Sequence, residues 1–229
     1  YAEYIFEYHP DYKGQVDKYF DRYSAYHIEG GDVLNLNEHI LAIGISQRTC
    51  ADAIEELAYK VFADKDAKID TILAFTIPEC RAFMHLDTVF TQIDVDKFTY
   101  HPGIMGTLKV FEITSDDEGG LNVKERNASL EKILEDYLHR KITLIPCAGG
   151  DKIGAEREQW NDGSNTLCIA PGVVIVYDRN NITNELLRDN GIKVLEMHSA
   201  ELSRGRGGPR CMSMPLVRAD KPWKKIEVL

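Results

Sequence analysis

Apolar positions along the chain switch between a helical and a strand period, and the switches mark out its elements. Tyr4, Ile5 and Tyr8 fall at helical spacing and predict a first helix that stops at His9-Pro10, since proline disfavours helical geometry in the residue before it. Residues 11–25 are polar and aromatic with no clear period and read as loop. Val33 to Leu36 and Ile40 to Ile45 predict two strands joined by a turn at Asn37-Glu38. Gln47-Arg48-Thr49 ends the second strand, and Thr49 or Asp52 is placed to cap a helix running to about Phe62. After the charged loop Asp64 to Lys68, the apolar run Ile69 to Ile77 reads as a buried strand. The order is β-β-α-β.

Two further units follow. In the second, Phe83 to Ile93 and Thr107 to Ile113 predict strands, Asn127 to His139 a helix carrying Leu130, Ile133, Leu134 and Tyr137, and Ile142 to Pro146 a last strand. Ser115 to Gly120 reads as an acidic hairpin tip. The third begins after Gly149-Gly150-Asp151, with strands Thr166 to Ala170 and Val173 to Tyr177, a helix Ile182 to Asp189 stopped by Asn190-Gly191, and a strand Ile192 to Glu196. Units one and three superpose at an offset of 131 residues, which sets Leu36 on Leu167, Ile43 on Val174, Ile45 on Val176 and Arg48 on Arg179. Such an internal repeat points to stacking of one supersecondary unit, the alternative being chance recurrence in an α+β protein.

Composition narrows the class without naming a function. Of 229 residues, 44% are apolar and 28% charged, the balance of an ordinary soluble globular protein. A net charge of −10, with Lys224-Lys225 as the longest basic run, argues against a nucleic-acid surface. No stretch has the ~20 apolar residues of a membrane span, and the first residues do not form a signal peptide. Five scattered cysteines with no Cys-x-x-Cys pair suit a reduced, cytoplasmic protein, and the histidines share no spacing with carboxylates that suggests a metal site. The chain begins without Met and inside an uncapped helix, so residues 1–229 are expected to be one catalytic portion of a longer chain.

Candidate chemistry centres on Arg204-Gly205-Arg206-Gly207-Gly208-Pro209-Arg210-Cys211, a loop by its glycines and proline. Only thiolate is nucleophilic, and nearby cations lower a thiol pKa from about 8.5, so Arg206 and Arg210 are expected to activate Cys211. A flexible basic loop that happens to end in cysteine fits equally well. In a strand His85 and Asp87 would share a face while Leu86 points away, which suits acid–base work or a satisfied structural pair. Glu29 precedes two glycines that let a ligand approach, or simply sits in a hairpin. Arg48, at a strand end, can grip a carboxylate bidentately, or pair on the surface. The polar loop 156–165, with Trp160 as a buried-type anchor and Asp162-Gly163 as a turn, is assigned a structural role. As a set, cysteine plus histidine implies a covalent adduct, and the extra carboxylates imply a cationic substrate, best a guanidinium.

Four segments carry a resemblance: His27-Ile28-Glu29-Gly30-Gly31-Asp32, Phe83-Met84-His85-Leu86-Asp87-Thr88-Val89-Phe90, Arg157-Glu158-Gln159-Trp160-Asn161-Asp162-Gly163, and Gly207-Gly208-Pro209-Arg210-Cys211-Met212-Ser213-Met214-Pro215. In this order, and over essentially the whole chain, the sequence resembles bacterial-type arginine deiminases of the guanidine-modifying superfamily. The resemblance implies a five-bladed α/β propeller of β-β-α-β units (pentein), about three of the five being present. It implies Cys211 as nucleophile, His85 as general acid then base, Glu29 as its partner, Asp87 as a guanidinium ligand, Arg48 on the substrate carboxylate, and Arg206, Gly207 and Arg210 in a mobile substrate-contacting loop. It implies L-arginine as substrate, no cofactor or metal, a cytoplasmic homo-oligomer, and no nucleic-acid or membrane partner. A second guanidinium-binding aspartate and a second carboxylate-binding arginine have no match here, so an upstream segment of the same enzyme is expected to complete the site. The rivals are a deiminase for another guanidine such as agmatine, and a non-catalytic binding fragment.

Overall fold

The computed structural model describes residues 2–216, so Lys224-Lys225 lies outside the described residues. Its backbone repeats one motif three times. In unit one, β1 (Val33–Asn35) pairs antiparallel with β2 (Ile40–Ile45), helix α2 (Ala51–Ala63) crosses over, and β3 (Thr71–Thr76) returns parallel to β2. In unit two, β4 (Phe90–Gln92) and β5 (Lys97–Tyr100) are antiparallel, and α4 (Leu130–Leu138) leads to β8 (Thr143–Pro146), parallel to β5. In unit three, β9 (Leu167–Ala170), β10 (Val173–Tyr177), α6 (Asn181–Asp189) and β11 (Lys193–Met197) repeat the pattern. The N-terminal helix α1 (Ala2–Tyr8) stops before Pro10 as expected.

Three expectations are corrected. The run 83–93 is not one strand: a turn and a short helix α3 (Leu86–Val89) precede β4. The second strand of unit two is β5, not 107–113. That later segment is β6 (Lys109–Ser115), which joins unit one's sheet through β3 and carries the hairpin partner β7 (Leu121–Glu125), giving the order β1-β2-β3-β6-β7. The 131-residue offset holds for β2 and β10 but not for the strands before them. Ile43 pairs with Val33, whereas Val174 pairs with the nearer Cys168, because the third unit has a tighter turn.

At β2 and β3 both faces of the five-stranded sheet are covered, which explains the continuous apolar run of β3. Ile43, Ile72 and Ala74 face Ile54, Leu57, Ala58 and Val61 of α2. Their alternate neighbours Ala42, Leu73 and Phe75 face the second unit. There Phe75 stacks on Phe90 and Phe90 on Phe98, with centroids 5.6 and 5.0 Å apart. Ser129 caps α4 by accepting from the Lys132 N–H. The third unit packs Val174 and Val176 of β10 and Leu187 of α6 together with Ile93 and Ile145 of unit two.

One close approach fixes how units one and two meet. A Cβ on Gly44 of β2 would collide with the Asp32 carboxylate and stand 2.9 Å from the Leu86 Cβ. Gly44→Ala is expected to lower stability by about 2 kcal/mol or more in urea denaturation, and an unchanged midpoint would contradict this close packing.

Candidate active site

The candidate residues come from the segments that enter each unit. Glu29 precedes β1, His85 and Asp87 precede β4, and the stretch 160–166 precedes β9, while the Cys211 loop follows β11. His85 is not in a strand. It is the extended residue that precedes α3, and Leu86 turns into the core. The expected pairing survives this change of element: His85 Nδ1 lies 3.9 Å from Asp87 Oδ1, and both atoms are buried without a hydrogen-bond partner. On the other side of the ring, His85 Nε2 is 2.5 Å from Glu29 Oε2. Gly31 gives the imidazole its room, since a Cβ there would stand 2.8 Å from the ring. Arg48 lies just beyond β2 and reaches Glu29 at 3.6 Å.

Asp32, which closes the Glu29-Gly30-Gly31 segment and has no role assigned from the sequence, organises this half of the site. Its fully buried carboxylate accepts from the hydroxyls of Ser46 and Thr49 and from the Leu86 N–H. Ser46 Oγ in turn accepts the Arg48 N–H, and Thr49 Oγ1 accepts the Glu29 N–H. Burial pushes the Asp32 carboxyl up, and these donors pull against it.

The nucleophile loop is held from several sides. Tyr177 donates its hydroxyl to the Gly207 carbonyl at 2.9 Å. Arg206 adopts a left-handed φ of 67° with its guanidinium 5.2 Å over the Trp160 ring. Trp160 is therefore no buried anchor: it is 61% exposed. The segment 156–165 is not all loop either, since α5 (Lys152–Gln159) includes its first four residues. Arg210 donates to Asp87 Oδ2 at 2.5 Å and to the Val33 carbonyl. The Cys211 N–H donates to Asn165 Oδ1 at 3.2 Å.

The two arginines expected to activate the thiol are thus engaged elsewhere, and the electrostatic expectation is reversed. Cys211 as a residue is exposed, yet burial of its sulfur first, and then the Asp87 carboxylate, push the thiol up to about 11. Asp162 raises it further, while the Gly208 N–H and Arg210 pull it down. The sequence marks Asp162 as a turn residue, and the structure gives it more to do. It faces Asp87 and Arg206, and burial first, then the Asp87 charge, push its carboxyl up to about 6. Asp87 is itself buried, and burial raises its carboxyl against the pull of Arg210, His85 and Asn165.

A cavity of about 620 Å³ opens beside the loop, lined by Phe83, Met84, His101, Trp160 and Arg206. Its lining includes Gly207 but not Cys211, His85, Glu29 or Arg48. Among the described residues no group of histidine, cysteine and carboxylates could hold a metal ion, and no helix is long and apolar enough to cross a membrane.

The fold is that of the α/β propellers. It matches an amidinotransferase of saxitoxin biosynthesis from Microseira wollei with a TM-score of 0.58 at 17% identity, over 94% of this chain and 57% of that one. It also matches the product-bound N-terminal domain of a cyanobacterial arginine dihydrolase with a TM-score of 0.52 at 19% identity, over 79% of this chain and 53% of that one. The family profile described as arginine deiminase matches residues 1–218. An arginine deiminase of Treponema denticola is 63% identical over 222 residues, 96% of this chain and 54% of the relative. One of Clostridium perfringens is 56% identical over 223 residues, again 96% and 54%. The chain belongs to the arginine deiminase family, and it spans about half the length of these relatives.

Two outcomes test the electrostatics. The Cys211 alkylation rate in the unliganded chain should climb about tenfold per pH unit from 7 towards 10, and a plateau below pH 8.5 would contradict the raised thiol. For Asp162, the folded value lies above the unfolded one. The native state therefore holds the extra proton between about pH 4 and 6, and stability falls as pH rises through that window. Asp162→Asn, tolerated at a left-handed φ of 57°, should raise Tm by about 3 °C at pH 7.5. That gain should vanish near pH 4, and an equal gain at both pH values would refute the assignment.

Proposed function

We propose that residues 1–229 form the nucleophile-bearing catalytic portion of a hydrolase that converts L-arginine and water to L-citrulline and ammonia. The observation that carries this reading is the Asp87–Arg210 pair. Asp87 is buried, already holds a guanidinium, and contributes to the charge that keeps the Cys211 thiol protonated. A substrate guanidinium exchanged for that of Arg210 would keep the charge on Asp87 balanced and set its own electrophilic carbon beside the Cys211 sulfur.

In this reading Cys211 Sγ adds to the guanidinium carbon, and Asp87 holds the flanking nitrogens. The protonated His85 gives its proton to one nitrogen, the C–N bond breaks, and ammonia leaves an amidino-thioether on Cys211. Neutral His85 then takes a proton from water, whose oxygen adds to the same carbon. The C–S bond breaks, the added oxygen loses its remaining proton to solvent, and the ureido group of citrulline and the Cys211 thiolate are released. Glu29 on Nε2 holds the ring in place. Arg48, half exposed and lightly engaged by Glu29, takes the substrate α-carboxylate. Agmatine lacks that group and is disfavoured. Arg206, Gly207 and Arg210 move with the loop that admits the substrate. No metal or cofactor enters these steps. The remaining guanidinium and carboxylate ligands come from an upstream segment, and the assembled enzyme is a cytoplasmic oligomer of identical chains.

The test uses the chain alone and fused behind the upstream half of the Treponema denticola relative. The chain alone should release little or no citrulline. The fusion should act on arginine in preference to agmatine, and Cys211→Ala should lower turnover by about 10⁴-fold or more. Citrulline release from the Cys211→Ala fusion, or preference for agmatine, would overturn the proposal.

A further inference from the structure

The reacting groups come from separate elements, and one side chain joins two of them. Asn165 is fully buried at the entry to β9. Its Nδ2 donates to the Asp87 carbonyl at 3.1 Å, and its Oδ1 accepts the Cys211 N–H at 3.2 Å. An amide suits this place because it offers a donor and an acceptor on one rigid plane, while a carboxylate or hydroxyl cannot supply both in this arrangement without changing protonation or reach. Gly208 of the nucleophile loop packs directly on Asn165, with an added Cβ falling 2.6 Å from Oδ1.

The neighbouring amide acts differently. Gln159 Nε2 donates to the Ala82 and Thr88 carbonyls, so its amide hydrogen bonds hold the same His85-bearing segment and do not run to the Cys211 loop. The two amides therefore separate support of the acid–base segment from registration of the nucleophile against it.

We propose that Asn165 is a positioning residue that sets Cys211 against Asp87, fixing where the sulfur stands relative to a guanidinium bound on that carboxylate. This assignment rests on the catalytic reading above, although the tether itself can be tested without it. Displacing a reacting atom by about 1 Å can cost on the order of 10²-fold in rate. The loss should fall on kcat, because Asn165 holds the reacting groups in register without touching the substrate.

The first readout is alkylation of Cys211 by iodoacetamide in the 229-residue chain, followed by peptide mass spectrometry across pH. Asn165→Ala removes the tether on the Cys211 N–H and lets the sulfur shift away from the Asp87 and Asp162 carboxylates, while Arg210 still holds the loop to Asp87. Cys211 should then react about tenfold or more faster at pH 8, with its pH profile shifted down by about one unit. Gln159→Leu should leave that profile unchanged. Cys147, fully buried with its thiol pushed up to about 11, reports unfolding and should stay unreactive in both variants. A Cys211 profile identical in Asn165→Ala and the parent, or shifted equally by Gln159→Leu, would overturn the proposal.

If Cys147 becomes reactive in Asn165→Ala, amide hydrogen exchange in the unsubstituted chain decides. The Cys211 N–H should be protected, and exchange as fast as that of Met212 would overturn the tether. In the fusion, Asn165→Ala should lower kcat about 100-fold with KM changed less than about threefold; unchanged kcat would refute the positioning role. An unsubstituted fusion that makes no citrulline would sink the catalytic reading alone, because the alkylation and exchange results still decide the tether.

Discussion

The structure depends on the buried carboxylate of Asp32. A carboxylate removed from water is tolerated only when its oxygens are fully engaged, and here the two hydroxyls and one N–H that engage it belong to different parts of the chain. Ser46 and Thr49 lie at the end of unit one's hairpin, and Leu86 lies at the entry to unit two. Through these three donors one charge sets the backbones of Glu29, Arg48 and His85 together. The missing side chain of Gly44 lets the carboxylate lie close over the sheet. The requirement to satisfy a buried charge thus becomes a constraint on the positions of exposed, reactive groups.

The repeat explains why such a site can be assembled from distant residues. In each unit the strands and crossover helix bury the apolar positions, leaving the entry segment free to carry polar side chains. Glu29 and Asp32 come from the first entry, His85 and Asp87 from the second, and Asp162 and Asn165 from the third. The Cys211 loop follows the third unit's last strand and meets the second and third entries through Asp87 and Asn165. Pseudosymmetry places equivalent segments near one another, and differences in their residues give each a separate role.

Periodicity made the repeat legible, because β2, β10 and the helix faces must bury alternate or helically spaced apolar positions wherever they sit. It could not say which strands pair. Thr107 to Ile113 looks like a strand and is one for most of its length, but its partner is β3, a choice made by tertiary packing. The short strand Lys97–Tyr100 follows Asp94 and Asp96 and shows little apolar pattern, and β7 is mostly exposed. Residue types and their spacing identified Cys211, His85, Asp87, Glu29 and Arg48, and the structure brings Glu29, His85, Arg48 and Asp87 into one network. The charge balance at the thiol was not legible, because it depends on where two arginine side chains turn. Asp162 and Asn165 were hidden behind a turn signal. The unusual run Ser164-Asn165-Thr166, polar yet buried and leading directly into a strand, is the trace that the burial of Asn165 leaves in the sequence.

The same charge balance bears on how a cation could be exchanged at the site. Asp87 is too buried to stand alone as an anion, and Arg210 meets that need in this structure. Removing Arg210 without replacement would leave Asp87 to take up a proton or water. Replacing it with another guanidinium conserves both the charge and the planar donor geometry, so the exchange avoids most of the desolvation penalty of building a new ion pair. The departing Arg210 also belongs to the loop that bears Cys211, one residue away. Release of Asp87 and movement of the nucleophile are therefore one event. Asn165, whose Nδ2 also bonds the Asp87 backbone carbonyl, can keep the two segments in register while the guanidinium between them is exchanged.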